Sequence, residues 1–179
     1  IEGFTIENGS SSVNGGGVVV KNFPPGSITL DKNIIQNNQT LNGAHGGGFN
    51  VFSHDVATTS GANIVISNNI IRSNIAGVGG QGQGGGGFGY FSNEFIMYNN
   101  LVYNNESKGA AAGQGYGGGL ALYGLAGNLY LVNNTITKNT SYYYAGGVGL
   151  HTTSAWADMH HYLYNNIIRG NTGTNTWLG

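Results

Sequence analysis

Asn68-Asn69-Ile70-Ile71-Arg72-Ser73-Asn74 is the stretch on which the reading of this chain turns, because its pattern returns along the whole length. Close copies stand at 99–105 (Asn-Asn-Leu-Val-Tyr-Asn-Asn), 133–139 (Asn-Asn-Thr-Ile-Thr-Lys-Asn) and 165–171 (Asn-Asn-Ile-Ile-Arg-Gly-Asn). Looser copies stand at 32–38 and 3–9. With the central apolar residue as anchor, Ile6, Ile35, Ile71, Val102, Ile136 and Ile168 are separated by 29, 36, 31, 34 and 32 residues. Self-similarity at that period is the mark of a solenoid or a propeller.

Two further landmarks fall between anchors. A glycine cluster leads into alternating apolar residues at 15–20, 46–52, 85–91, 117–123 and 146–151. A short run of period two precedes each asparagine pair at 27–31, 63–67, 94–98, 128–132 and 161–164, as a strand with one buried face requires. Three short strands and three turns per repeat make one coil of a β-helix, whereas a propeller blade needs four strands. No amphipathic stretch of 10–15 residues lies between strands to serve as the crossover helix of a doubly wound fold.

Stacking the repeats turns positions into columns. Val18, Phe49, Phe88, Leu120 and Val148 form one inward column of the glycine-led strand, and Val20, Val51, Tyr90, Leu122 and Leu150 the next. Asn33, Asn69, Asn100, Asn134 and Asn166 line one turn, and Asn38, Asn74, Asn105, Asn139 and Asn171 another. An amide carries both donor and acceptor, so identical asparagines one coil apart can bond in a ladder. Their role is therefore structural. The expectation is an all-β, single-stranded, right-handed parallel β-helix of about six coils of three short strands, one domain over 1–179 that forms a segment of a longer chain or assembly.

Composition agrees. The 34 glycines and 25 asparagines make a third of the 179 residues and disfavour helix, while 39% hydrophobic residues suffice for a core. Only 7% of residues are charged and the net charge is −1, which gives no basic field for nucleic acid or anionic lipid. No apolar run approaches the ~20 residues of a membrane-spanning helix. Cysteine is absent, so disulfides and thiolate metal sites are excluded.

The ladders, the glycine-led strands and the opening Ile-Glu-Gly-Phe-Thr-Ile-Glu-Asn-Gly resemble the right-handed parallel β-helix repeat proteins over nearly all of residues 1–171. That superfamily includes pectate-lyase-like enzymes, phage tailspikes and autotransporter or polymorphic outer-membrane passenger domains. The resemblance implies the fold strongly and an activity weakly, because one scaffold hosts lyases, hydrolases, adhesins and stalks.

Searching the columns for chemistry gives little. Gly80–Gly85 and Gly113–Gly118 match G-x-G-x-x-G, but both lead into a strand where a phosphate cradle needs a helix. The acids Glu2, Glu7, Asp31, Asp55, Glu94, Glu106 and Asp158 scatter, so no carboxylate pair at glycosidase distance is expected. Arg72 and Arg169 share an outward column three coils apart, too far for joint action. His151, Asp158, His160 and His161 cluster in the last full coil, with His161 falling in an inward column. The best surface feature is an outward aromatic stripe of Phe52, Phe91, Tyr123 and His151, set beside Tyr98, Tyr130, Tyr162 and Tyr164 on another strand, and it offers a place for sugar rings or a second chain. Five Asn-x-Ser/Thr sites, at Asn8, Asn38, Asn105, Asn133 and Asn139, are frequent enough to arise by chance.

The sequence therefore points to a non-catalytic extracellular or cell-surface module of structural or adhesive kind, without metal or cofactor. Its expected partners are neighbouring coils or other copies, with polysaccharide as a further candidate. The competing expectation is a polysaccharide lyase or hydrolase of the pectate-lyase-like kind, or a glycan-binding module.

Overall fold

The computed structural model describes residues 1–21, 26–53, 62–109, 116–152 and 160–173. Among these residues there is no helix, and every strand pairing is parallel, with its partner one repeat away. The result is a β-solenoid whose four sheets hold six, six, five and five strands.

The anchor sheet runs through Thr5–Glu7, Ile34–Gln36, Ile70–Arg72, Leu101–Tyr103, Thr135–Thr137 and Ile167–Arg169. Its register sets Ile6 beside Ile35, Ile35 beside Ile71, and so on to Ile168, as the repeat alignment requires. The glycine-led sheet and the sheet ahead of the asparagine pairs supply the other two expected strands of each coil. A fourth strand was not expected. It follows the second asparagine ladder at Ser10–Ser11, Gln39–Leu41, Ile75–Val78, Glu106–Ser107, Thr140–Ser141 and Thr172–Gly173. Most of these strands are two or three mainly polar residues, and Ile75–Val78 runs Ile-Ala-Gly-Val with no apolar–polar alternation, so nothing in the pattern reveals the sheet.

The coil count changes accordingly. Four coils, 27–53, 63–91, 95–124 and 129–152, have all four strands, and a three-stranded partial turn lies at either end. The estimate of about six coils of three strands is thus corrected to four complete coils and two partial ones.

Each repeat contributes the same apolar set to a core running the length of the axis. Ile35, Ile71, Val102 and Ile136 face inward from the anchor sheet, Ile64, Ile66, Phe95, Met97, Leu129 and Leu131 from the sheet before it, and Phe49, Val51, Leu120 and Leu122 from the glycine-led sheet.

Two asparagine ladders border the core. Asn69 shows their logic: its Oδ1 accepts the backbone N–H of Asn33 at 2.8 Å and the Nδ2 of Asn33 at 3.1 Å. Its own Nδ2 donates to the Leu30 carbonyl at 2.9 Å and to Asn100 Oδ1 at 3.0 Å. Both lone pairs and both amide protons are used, which is what lets so polar a group sit buried. Asn38, Asn74, Asn105 and Asn139 repeat the scheme and end on Asn171.

The residue before each ladder member has a second role. Lys32, Asn37, Asn68, Ser73, Asn99, Asn104, Asn133, Lys138 and Asn165 all adopt left-handed backbone, with φ between 51 and 56. Asparagine tolerates that conformation better than most residues. In each Asn-Asn pair, then, the first residue makes the bend and the second makes the ladder.

One register differs from the sequence alignment. The run 84–87 has four glycines, and the turn falls at Gly84 (φ +67), matching Gly46 (φ +71) and Gly117 (φ +64). Gly87 therefore stands beside Phe49 and Leu120, and Gly89 beside Val51 and Leu122. The physical reason is the Phe49 ring, which occupies the space a side chain at 87 would need, since a Cβ there would lie 2.0 Å from it. Phe88 and Tyr90 consequently belong to the outward columns instead of the core. Phe91 turns inward, fully buried, and packs 5.0 Å from the Phe95 ring.

Candidate functional site

With the register corrected, the outward stripe on the glycine-led sheet is Phe52, Tyr90, Tyr123 and His151. Phe52, Tyr123 and His151 lie where the sequence placed them. Phe91 does not, because the fourth glycine moves it to the core face, and Tyr90 takes its place. The extra glycine in 84–87 was the only signal that could have shown this.

The rings of the stripe stack on one another. Phe52 and Tyr90 are 4.8 Å apart and 8° from coplanar, and Tyr123 and His151 are 4.8 Å apart at 29°. A parallel stack runs alongside, in which His45 lies 4.9 Å from Phe88, Phe88 lies 5.3 Å from Tyr123, and Tyr116 lies 4.5 Å from Tyr144. On the neighbouring sheet Tyr130 and Tyr162 are 4.8 Å apart at 11°. Offset stacking at this distance stabilises by about 0.5–1.5 kcal/mol per pair. It also uses the ring faces, so what these stripes present to solvent is chiefly edges and hydroxyls. Burial pushes the Tyr123 phenol up to about 12. The same burial lowers His45, whose Nδ1, like the amide of Asn50, is buried without a hydrogen-bond partner.

The charged groups are arranged along the axis too. Arg72 donates from Nε and Nη2 to Gln36 Oε1 at 2.8 and 2.6 Å and from Nη1 to Tyr103 Oη at 2.8 Å. Gln36 donates in turn to Glu7. Arg72 is thus pinned between its column neighbours.

Asp31 is the most perturbed acid. It accepts hydrogen bonds from Ser67 Oγ at 2.6 Å and Asn68 Nδ2 at 2.7 Å, and Lys32 Nζ lies 3.2 Å away. These bonds, the Ser67 hydroxyl foremost, hold its carboxyl at about 2, below the ordinary 3.8. A carboxylate depressed in the folded state stabilises it fully above the unfolded pKa and loses that contribution as pH falls toward the folded one. Asp31→Asn is expected to flatten the acid side of the stability profile between pH 3.8 and about 2, as followed by thermal melts.

Of the histidine cluster, Asp158 lies outside the described residues. His161 stands beside Leu129 as the columns required, yet it is exposed on the terminal partial turn. Among the described residues no three His, Cys, Asp or Glu side chains are placed to hold a metal ion. Gly80–Gly85 leads into the strand Gly87–Phe91, and Gly113–Gly115 of the second fingerprint lie outside the described residues. Asn38, Asn105 and Asn139 of the Asn-x-Ser/Thr sites are buried in a ladder, whereas Asn8 and Asn133 are exposed.

No protein-family model, curated protein or solved structure matches this chain.

Proposed function

We propose that the chain is a non-catalytic structural module of an extracellular, cell-surface or filament protein, a rigid β-solenoid rod. The observation that supports this reading is where the polar side chains spend their bonds. Both asparagine ladders, the Glu7–Gln36–Arg72–Tyr103 column and the stacked rings all bond from coil to coil along the axis. An enzyme of this architecture would need convergent groups directed at a substrate, with at least one acid or base left available. Arg72, a candidate base for β-elimination, is instead held by Gln36 and Tyr103.

The same logic supports neighbouring coils as partners. On the final partial turn the inward positions Leu163 and Ile168 are 45% and 42% exposed, against 0% for Leu131 and Ile136 one coil earlier. That face fits a further coil, whichever chain supplies it.

The test is a lyase assay of this chain on polygalacturonate and on alginate, with and without calcium, read as absorbance of unsaturated products. A flat trace is expected. Steady product release that Arg72→Ala or Arg169→Ala abolishes would replace the structural reading with a polysaccharide lyase.

A further inference from the structure

The fourth, short sheet carries a feature that none of the stripes includes. At Ile75–Val78 the pairing with Gln39–Leu41 slips by one residue, so the four residues 75–78 span what three span on the other strand. Gly77 sits at the slip with φ +75, and Gly79 follows with φ +80. Such a bulge re-aims the local backbone, and bulges recur beside functional sites. Beside it lies a cleft of about 560 Å³ across three coils, lined by Gly77, Gly79 and Gly80, then Glu106, Lys108 and Gly109, then Tyr142.

The walls are built from hydrogen-bonded backbone. Gly80 N donates to Gly77 O at 2.9 Å, Gly82 N to Lys108 O at 3.2 Å, Lys108 N to Ala76 O at 2.8 Å, and Tyr142 N to Ser107 O at 3.0 Å. A Cβ at Gly79 would meet nothing within 4 Å, so the space above it is open.

Three side chains give the cleft its chemistry. Tyr142 is 58% exposed, and unlike Tyr116, Tyr123 and Tyr144 it stacks on no other ring among the described residues. Glu106 and Lys108 stand together at 3.6 Å, both partly exposed, a separation too long for a tight bond and one that leaves each able to take a ligand. A carboxylate only accepts and an ammonium only donates, whereas a hydroxyl does both and can bridge them. An anionic ligand would face Glu106, and a cationic one Lys108. A flat apolar C–H face would rest on the tyrosine ring.

We infer that this cleft binds a neutral hydroxylated ring, one or two sugar units of an uncharged oligosaccharide. The site is separate from the rod role. Its test reads occupancy alone, so either proposal can fail without the other.

The experiment is calorimetric titration of the full chain with cellobiose, maltose and diacetylchitobiose, and with digalacturonate as the charged counterpart. Saturable millimolar binding of at least one neutral disaccharide is expected, weakened about tenfold by Tyr142→Ala. Tyr142→Phe, which keeps the ring, retains the affinity, and Tyr164→Ala, which removes an exposed tyrosine elsewhere, leaves it unchanged. The inference is overturned if no neutral disaccharide gives saturable heat, if Tyr142→Ala binds as well as the parent, or if digalacturonate binds more tightly than all three.

Discussion

Asn100→Leu is expected to destabilise the solenoid by roughly 3–5 kcal/mol, the combined effect of several buried polar groups left without partners. Asn100 Oδ1 accepts the backbone N–H of Asn69 at 2.9 Å and its Nδ2 at 3.0 Å. Its own Nδ2 donates to the Ile66 carbonyl at 2.8 Å and to Asn134 Oδ1 at 3.0 Å. Leucine has a similar volume and fits the apolar surroundings, so hydrophobic transfer works in favour of the variant. Orphaned donors and acceptors outweigh that gain, because each buried unmet group costs about 1–3 kcal/mol and water cannot reach these. The same change at Asn166, whose ladder position lies on the terminal partial turn and is only partly buried, is expected to cost about 1 kcal/mol. Denaturant melts of the two variants side by side measure the contrast. Equal midpoints would mean that the ladder carries no more stability in the middle than at its end.

The ladders were legible because stacking forces chemically identical side chains to recur at one position per coil. The anchor register followed from the same recurrence, and Ile6 through Ile168 pair as the repeats align. What stayed hidden lacked a chemical signature. Ser10–Ser11 and Glu106–Ser107 are strands by virtue of their neighbours, since nothing in two polar residues announces a sheet. Lys32, Ser73 and Lys138 occupy left-handed bends that favour asparagine, and the Asn-Asn pairs elsewhere concealed that the two positions do different work.

The candidate site divides along the same line. Phe52, Tyr123 and His151 could be placed from alternation alone, but four consecutive glycines at 84–87 allow two alignments. The choice between them rests on Phe49, a residue one coil away, which fills the volume beneath Gly87. Tyr90 and Phe91 exchange faces on that contact. The cleft was harder still to see. Its tyrosine, carboxylate, ammonium and glycines come from three coils, and no single stretch of sequence shows that they share one rim beside the slipped pairing at Ile75–Val78.

Gly118→Ala should be as damaging as the ladder substitution, for a steric reason. The corner ahead of each glycine-led strand brings backbone of successive coils into direct contact. A Cβ on Gly118 would lie 2.3 Å from the Thr140 carbonyl oxygen and 2.5 Å from that of Gly146. Both obstacles are main chain, so no rotamer change can relieve them. The third and fourth complete coils would have to separate at this corner, which breaks the bonds from Gly118 N to Ala145 O at 3.0 Å and from Gly119 N to Gly146 O at 2.9 Å. Overpacking of about 1–3 kcal/mol and two lost hydrogen bonds at about 1 kcal/mol each give roughly 3–5 kcal/mol. Gly3→Ala supplies the control. Gly3 has φ +76 but nothing within 4 Å of an added Cβ, so alanine there meets only the left-handed strain of about 1–2 kcal/mol. If the two alanine variants melt together, conformational freedom explains the glycines of this chain. If Gly118→Ala melts well below Gly3→Ala, close approach of coil to coil explains the glycines at the corners.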